Sequence, residues 1–183
     1  IPQSHKRRVV VARELLLDAL RRISLVASDK SGGVRMVLSA GKLEIISENF
    51  LGDAAPPQRQ LARIAARYPI VLHGVSLNLL GHEPLDETYL DALCRLADRV
   101  KAPFVTDHLC WSAAHGVTHH DLLPTPYVPE LVELAAERAY AVQRRLDRPF
   151  GLENLSSYAS FTESGMADCE FYTRVVREAG CHF

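Results

Sequence analysis

From residue 43 onward short apolar runs alternate with longer amphipathic stretches, and this alternation restricts the fold more than any other feature of the sequence. Continuous apolar runs at 43–47, 70–77, 104–109 and 150–154 suit strands covered on both faces. Between and after them, residues 58–67, 87–100, 128–146 and 166–179 carry helical periodicity. In the second of these Leu90, Leu93, Ala97 and Val100 recur on one face, as a helix lying on a sheet requires. Pro84 and Asp86 punctuate its approach, and Pro103 and Pro149 each stand just before a strand, where a missing N–H removes no ladder hydrogen bond. Strand, helix, strand, helix in this order predicts βα units around a parallel sheet.

The expected fold class is therefore α/β, with residues 43–183 forming part of a TIM-type (β/α) barrel. A complete barrel uses eight strands and about 250 residues. The four units visible in 183 residues, with a fifth strand just opening at Cys181, His182 and Phe183, predict an incomplete one. The chain also opens without Met, as a fragment would. Residues 1–42 follow another plan: a strand at 9–11, a helix at 13–26 with Leu16, Leu20 and Ile23 on one face, and a hairpin of 34–38 with 43–47 turning at Ala40 and Gly41. Strand, helix, hairpin is an α+β pattern, so two segments are expected, 1–42 and 43–183.

Composition narrows the function classes. With 48% hydrophobic and 23% charged residues the chain has enough apolar material for a packed core. A net charge of −1 gives no electrostatic reason to expect nucleic acid or membrane as partner, and the run His5, Lys6, Arg7, Arg8 is too short to change that. No apolar stretch approaches the roughly 18 residues that span a bilayer. Cys94, Cys110, Cys169 and Cys181 are far apart, without a CxxC pair, which fits a reducing compartment; the cytoplasm is the expected location.

In parallel βα barrels the reactive side chains gather at the carboxyl ends of the strands. Here Glu48 and Asn49 follow the first run, His73 lies within the second, Asp107 and His108 lie in the third, and Glu153 and Asn154 close the fourth. Two imidazoles and carboxylates from separate strands make a nitrogen and oxygen donor set suited to iron, manganese or zinc. Glu153 is the natural bridging ligand if more than one ion is held, since a carboxylate can span two metals and an imidazole cannot. Asn154 offers a neutral carbonyl. A carboxylate on an apolar strand is costly to bury alone, which favours a ligand or ion-pair role for Glu153.

The segments LEIISENF, YPIVLHGVSLNL, PLDETYL, VTDHLCW, HHDLLPTPY and GLENLSSY follow one another over residues 43–158 in an order and spacing that resembles the multinuclear non-heme iron-dependent oxidative enzymes. The resemblance implies iron as cofactor, two or three ions in the intact family, and oxidation of a cysteine in a ribosomally made precursor peptide brought by a small delivering protein. Matching motif to motif, it implies that His73, His108, Glu153 and Asn154 are metal ligands, with His108 and Glu153 closest to the chemistry. Glu48, Asn49, Asp107, His120 and Asp121 then line or brace the site, Asp107 or Asp121 orienting an imidazole. The family takes further ligands from beyond residue 183, so one ion or none is expected for this chain. The stretch from VVVARELLLDALRR through LEIISEN, residues 9–49, is similar instead to part of the bacterial DNA polymerase sliding clamp.

Plainer readings stand beside these. A lone buried histidine is more often a hydrogen-bonded core residue, but His73 and His108 combine strand position, spacing and motif. His119 and His120 divide evenly between solvent and site, and His5, His82, His115 and His182 read as surface or linker. Cys110, beside His108, reads as a small buried residue, and Trp111 and Tyr127 as packing. Two other functions remain open: a divalent-metal isomerase or endonuclease-like barrel, and a clamp-derived binding module with no catalysis.

Overall fold

The structure is a computed structural model and describes residues 42–52, 55–155 and 159–183. Strand β1 (Leu43–Ile46) runs into a single 3-10 turn (Ser47–Phe50), followed by helix α1 (Ala55–Ala65), β2 (Ile70–His73), α2 (Glu87–Val100) and β3 (Val105–His108). A hairpin of β4 (Trp111–Ala114) and β5 (Val117–Leu123) precedes α3 (Pro129–Leu146), β6 (Phe150–Glu153) and α4 (Asp168–Ala179). β1, β2, β3 and β6 form one parallel sheet in that order. Four parallel strands with intervening helices are compatible with part of a (β/α) barrel.

The caps explain where the helices stop. Asp86 accepts from the amides of Thr88 and Tyr89 at 2.8 and 3.1 Å and opens α2, a device that contributes about 1 kcal/mol. Pro56 and Pro57 sit in the first turn of α1 and Pro129 begins α3, positions where a missing N–H costs nothing. Lys101, Asp147 and Gly180 end their helices in the left-handed conformation. The core is aliphatic and aromatic: Leu61, Ile70, Leu72, Leu93, Val105, Val132, Ala139, Phe150, Phe171 and Val175 have no exposed surface. α3 and α4 pack on each other most extensively.

Several boundaries differ from the sequence reading, and one difference matters for the site. The second strand was expected to run to residue 77 but stops at His73: Gly74 N still donates to Thr106 O at 2.7 Å, and beyond it the amides of Val75 and Leu77 turn to carboxylates. Val75 N donates to Glu48 Oε1 at 2.8 Å and Leu77 N to Asp107 Oδ2 at 3.3 Å. The hairpin β4–β5 was not foreseen. Its turn places His115 and Gly116 both at positive φ, 53° and 73°, the two-residue geometry that matches strand twist. β1 pairs parallel with β2, and the expected strands and helix at 9–11, 13–26 and 34–38, with the turn at Ala40 and Gly41, lie outside the described residues. At the other end His182 forms a parallel bridge with Gly151, with Leu152 N donating to His182 O and His182 N to Phe150 O, both at 2.9 Å.

Candidate metal centre

Sheet register brings the site together. His73 is the Cα partner of Thr106, Thr106 of Gly151, and His108 of Glu153. Paired residues of neighbouring strands share a face, and residues two apart on one strand do too. His73, Thr106, His108 and Glu153 therefore project from the same side of the sheet at its carboxyl end. His73 Nε2 lies 3.2 Å from His108 Nε2, and Glu153 Oε2 lies 3.3 Å from His73 Nδ1 and 3.9 Å from His108 Nε2. One donor atom from each of the three falls within 4.8 Å of the others. The imidazoles are nearly enclosed while the Glu153 side chain keeps 31% of its surface exposed, so the cluster is open on the carboxylate side.

These donors fit a metal ion. Two ring nitrogens bound to one first-row ion at about 2.0–2.1 Å stand roughly 3 Å apart, as His73 Nε2 and His108 Nε2 do. The rings meet edge to face, at 83° with centroids 4.9 Å apart, so neither covers the other's nitrogen.

The remaining expected residues sit elsewhere or act differently. Asp107 alternates with His108 along β3 and so faces the other side of the sheet. It is fully buried, and its oxygens accept from the His108 amide at 2.7 Å and from Leu77 N. Among the described residues its partners are backbone amides; the expectation had named Asp107 or Asp121 for orienting an imidazole. Burial, and next the charge of Glu48, push the Asp107 carboxyl well above the usual carboxylate range. Glu48, in the 3-10 turn, accepts from Val75 N and at 2.5 Å from the Tyr89 hydroxyl, leaving Oε2 buried without a hydrogen-bond partner among the described residues. Asn49, in the 3-10 turn, and Asn154, just after β6, are exposed. Asp121 lies on β5, where it accepts from Leu122 N at 2.8 Å. His120 is in the same strand, its side chain outside the described residues.

Three residues escaped the sequence reading. Thr106 hydrogen-bonds His73 Nδ1 through Oγ1 at 2.8 Å, and its position two before His108 was the available signal. Tyr89 binds Glu48 across 41 positions of sequence. Burial, then the charges of Asp107 and Glu48, drive its hydroxyl well above the ordinary tyrosine range. Gly74 lets the chain pass between them: a Cβ there would come within 2.2 Å of Asp107 Oδ2 and 3.2 Å of the Tyr89 hydroxyl. Cys110 is buried, its thiol pushed up by burial and then by Asp107 and Asp121, in keeping with a packing role. Trp111, edge-on to His119, donates to Pro124 O, and Tyr127 stacks on Phe171.

A family profile described as RiPP precursor modification enzyme MbnB/TglH/ChrH matches residues 34–183. The chain belongs to this family. The MbnB/TglH/ChrH match spans all three clustered donors and every strand of the parallel sheet. Among curated relatives, a UPF0276 protein of Anaeromyxobacter sp. (strain Fw109-5) is 41% identical over 139 residues, 76% of this chain and 49% of its own length. UPF0276 proteins of Caulobacter vibrioides (strain NA1000 / CB15N) and Acaryochloris marina (strain MBIC 11017) are 39% and 41% identical over 140 residues, 76% of this chain and 50% of theirs. The chain thus spans about half the length of the curated relatives it matches. Residues 1–54 also match a profile for the C-terminal domain of the DNA polymerase III beta subunit, in line with the sliding-clamp resemblance. No described helix is long and apolar enough to cross a membrane.

Proposed function

We propose that this chain carries part of the metal site of an iron-dependent enzyme that oxidises cysteine in a ribosomally synthesised precursor peptide. The gathering of one donor atom each from His73, His108 and Glu153 within 4.8 Å of one another carries the reading. Family membership supplies the peptide substrate class. A bound iron would supply redox cycling with dioxygen and a position for the substrate thiolate.

The chain's own residues do the holding. His73 and His108 present ring nitrogens from enclosed positions, and Glu153 presents an oxygen on the side open to solvent, where a second ion or a substrate approaches. Asn154, next along and exposed, offers a carbonyl there. Glu48 and Asp107 fix the backbone that follows His73. All four cysteines are free thiols, consistent with a reducing cytoplasm as the place of work. One ion at most is expected for residues 1–183 alone, and the peptide is expected to arrive with a small delivering protein.

The test is the iron content of anaerobically purified chain, set against folded His73→Ala and His108→Ala variants. Iron in the parent and loss in both variants supports the site and leads to an oxygen-uptake assay with a cysteine-containing peptide. Retention of iron by both variants would refute the assignment. A preference for manganese or zinc without oxygen uptake would move the reading to a divalent-metal isomerase or endonuclease-like barrel, which the same donors suit.

A further inference from the structure

A histidine that binds metal through one ring nitrogen needs its proton on the other, and the group facing that other nitrogen sets which form is present. Around His73 the surroundings are asymmetric. Nε2 faces His108 Nε2 at 3.2 Å. Among the described residues, Nδ1 faces two oxygens, Thr106 Oγ1 at 2.8 Å and Glu153 Oε2 at 3.3 Å. An ionised carboxylate only accepts, so an unprotonated Nδ1 would set a ring lone pair against the Glu153 oxygen. A proton on Nδ1 removes that repulsion and donates along the shorter contact, to Thr106.

The sheet holds Thr106 in place for this. His73, Thr106 and Gly151 occupy one row across β2, β3 and β6. A Cβ at Gly151 would lie 3.2 Å from the Thr106 methyl and 2.7 Å from the Phe104 ring. The missing side chain is the space into which the Thr106 methyl packs, and a threonine with its methyl fixed has its hydroxyl fixed too.

We infer that Thr106 is a positioning residue of the metal centre: its hydroxyl oxygen accepts a hydrogen bond from His73 Nδ1–H and thereby keeps the His73 Nε2 lone pair turned toward His108 and the ion. The ion itself rests on the reading given under Proposed function. The tautomer does not, since it follows from contacts among this chain's own atoms.

The two claims are separated by examining the full chain and its T106V and T106S variants in two ways. Valine keeps the shape and the β-branch without the acceptor; serine keeps the acceptor without the methyl. Long-range 1H–15N spectra of the imidazoles, with His73 identified by its loss in His73→Gln, report the tautomer in the ion-free chain. Depletion of the free Mn(II) electron-resonance signal reports ion affinity. The expected result is an Nδ1–H His73 in the parent, lost or mixed in T106V and restored in T106S, with Mn(II) affinity down by about tenfold or more in T106V only. A purely structural threonine would move neither the tautomer nor the serine rescue. A parent His73 protonated on Nε2, an unchanged tautomer in T106V, or unchanged affinity in T106V where the parent binds Mn(II) overturns the inference. The expected tautomer pattern with no Mn(II) uptake by the parent overturns ion binding by residues 1–183 alone and leaves the control of His73 by Thr106 standing.

Discussion

At the scale of single residues, the tightest constraint on the site comes from an atom that is not there. Gly74 directly follows His73, and a methyl at that position would overlap the Asp107 carboxylate. Gly74→Ala is expected to lower stability by about 1–3 kcal/mol, the usual range for overpacking, read as a lower urea midpoint with an unchanged slope. Tyr172 gives a second prediction. Burial holds its hydroxyl at a pKa of about 12, above the ordinary 10. The unfolded chain therefore loses this proton first as pH rises. The contribution is complete below pH 10 and is lost as pH climbs toward 12. Tyr172→Phe should show a shallower fall in urea midpoint across that window, with the remaining slope carried by other raised groups, Tyr89, Tyr127 and the Cys110 thiol among them. The three clustered donors were legible from sequence because strand ends concentrate reactive groups. Thr106 and Tyr89 were not, because their roles depend on where a hydroxyl points, and the Tyr89 to Glu48 contact joins residues 41 positions apart in sequence.

Among the elements, the βα order was readable because apolar continuity and helical periodicity are local signals. What escaped was set by non-local partners. β2 is shorter than its apolar run because Glu48 and Asp107 claim the amides of Val75 and Leu77. The hairpin β4–β5 offered only one glycine in its turn as a clue. It is also tied to the loop between β2 and α2: the Asn78 side chain accepts from Ser112 N at 2.7 Å and donates to Ala113 O at 3.1 Å, and Leu80 N donates to Cys110 O. Arg138 of α3 fastens the same loop through the carbonyls of Leu79, Gly81 and Glu83 at 3.1, 2.7 and 2.7 Å. Removing such a charged donor leaves several carbonyls short of partners at once. Arg138→Ala should accelerate amide exchange and limited proteolysis within residues 78–83 while leaving the exchange of β3 and β6 as it was.

For the whole molecule, the chain separates into two units, Ile1–Met36 and Val37–Phe183, and every candidate donor belongs to the second. Chain shortened to residues 37–183 is expected to keep the iron stoichiometry of the parent, measured on anaerobically purified protein of matched helicity. Loss of iron from a folded short form would show that the first segment contributes to the centre. Within the second unit, the close packing against Gly74 also has an evolutionary reading. It binds together positions 74, 89 and 107, each on a different stretch of the chain. A lineage that gained a side chain at 74 would have to shrink its neighbour at 107 or retract the hydroxyl at 89, so these positions should drift as a correlated set among relatives. Such a record of substitution would trace the packing behind the histidine without any measurement on the metal.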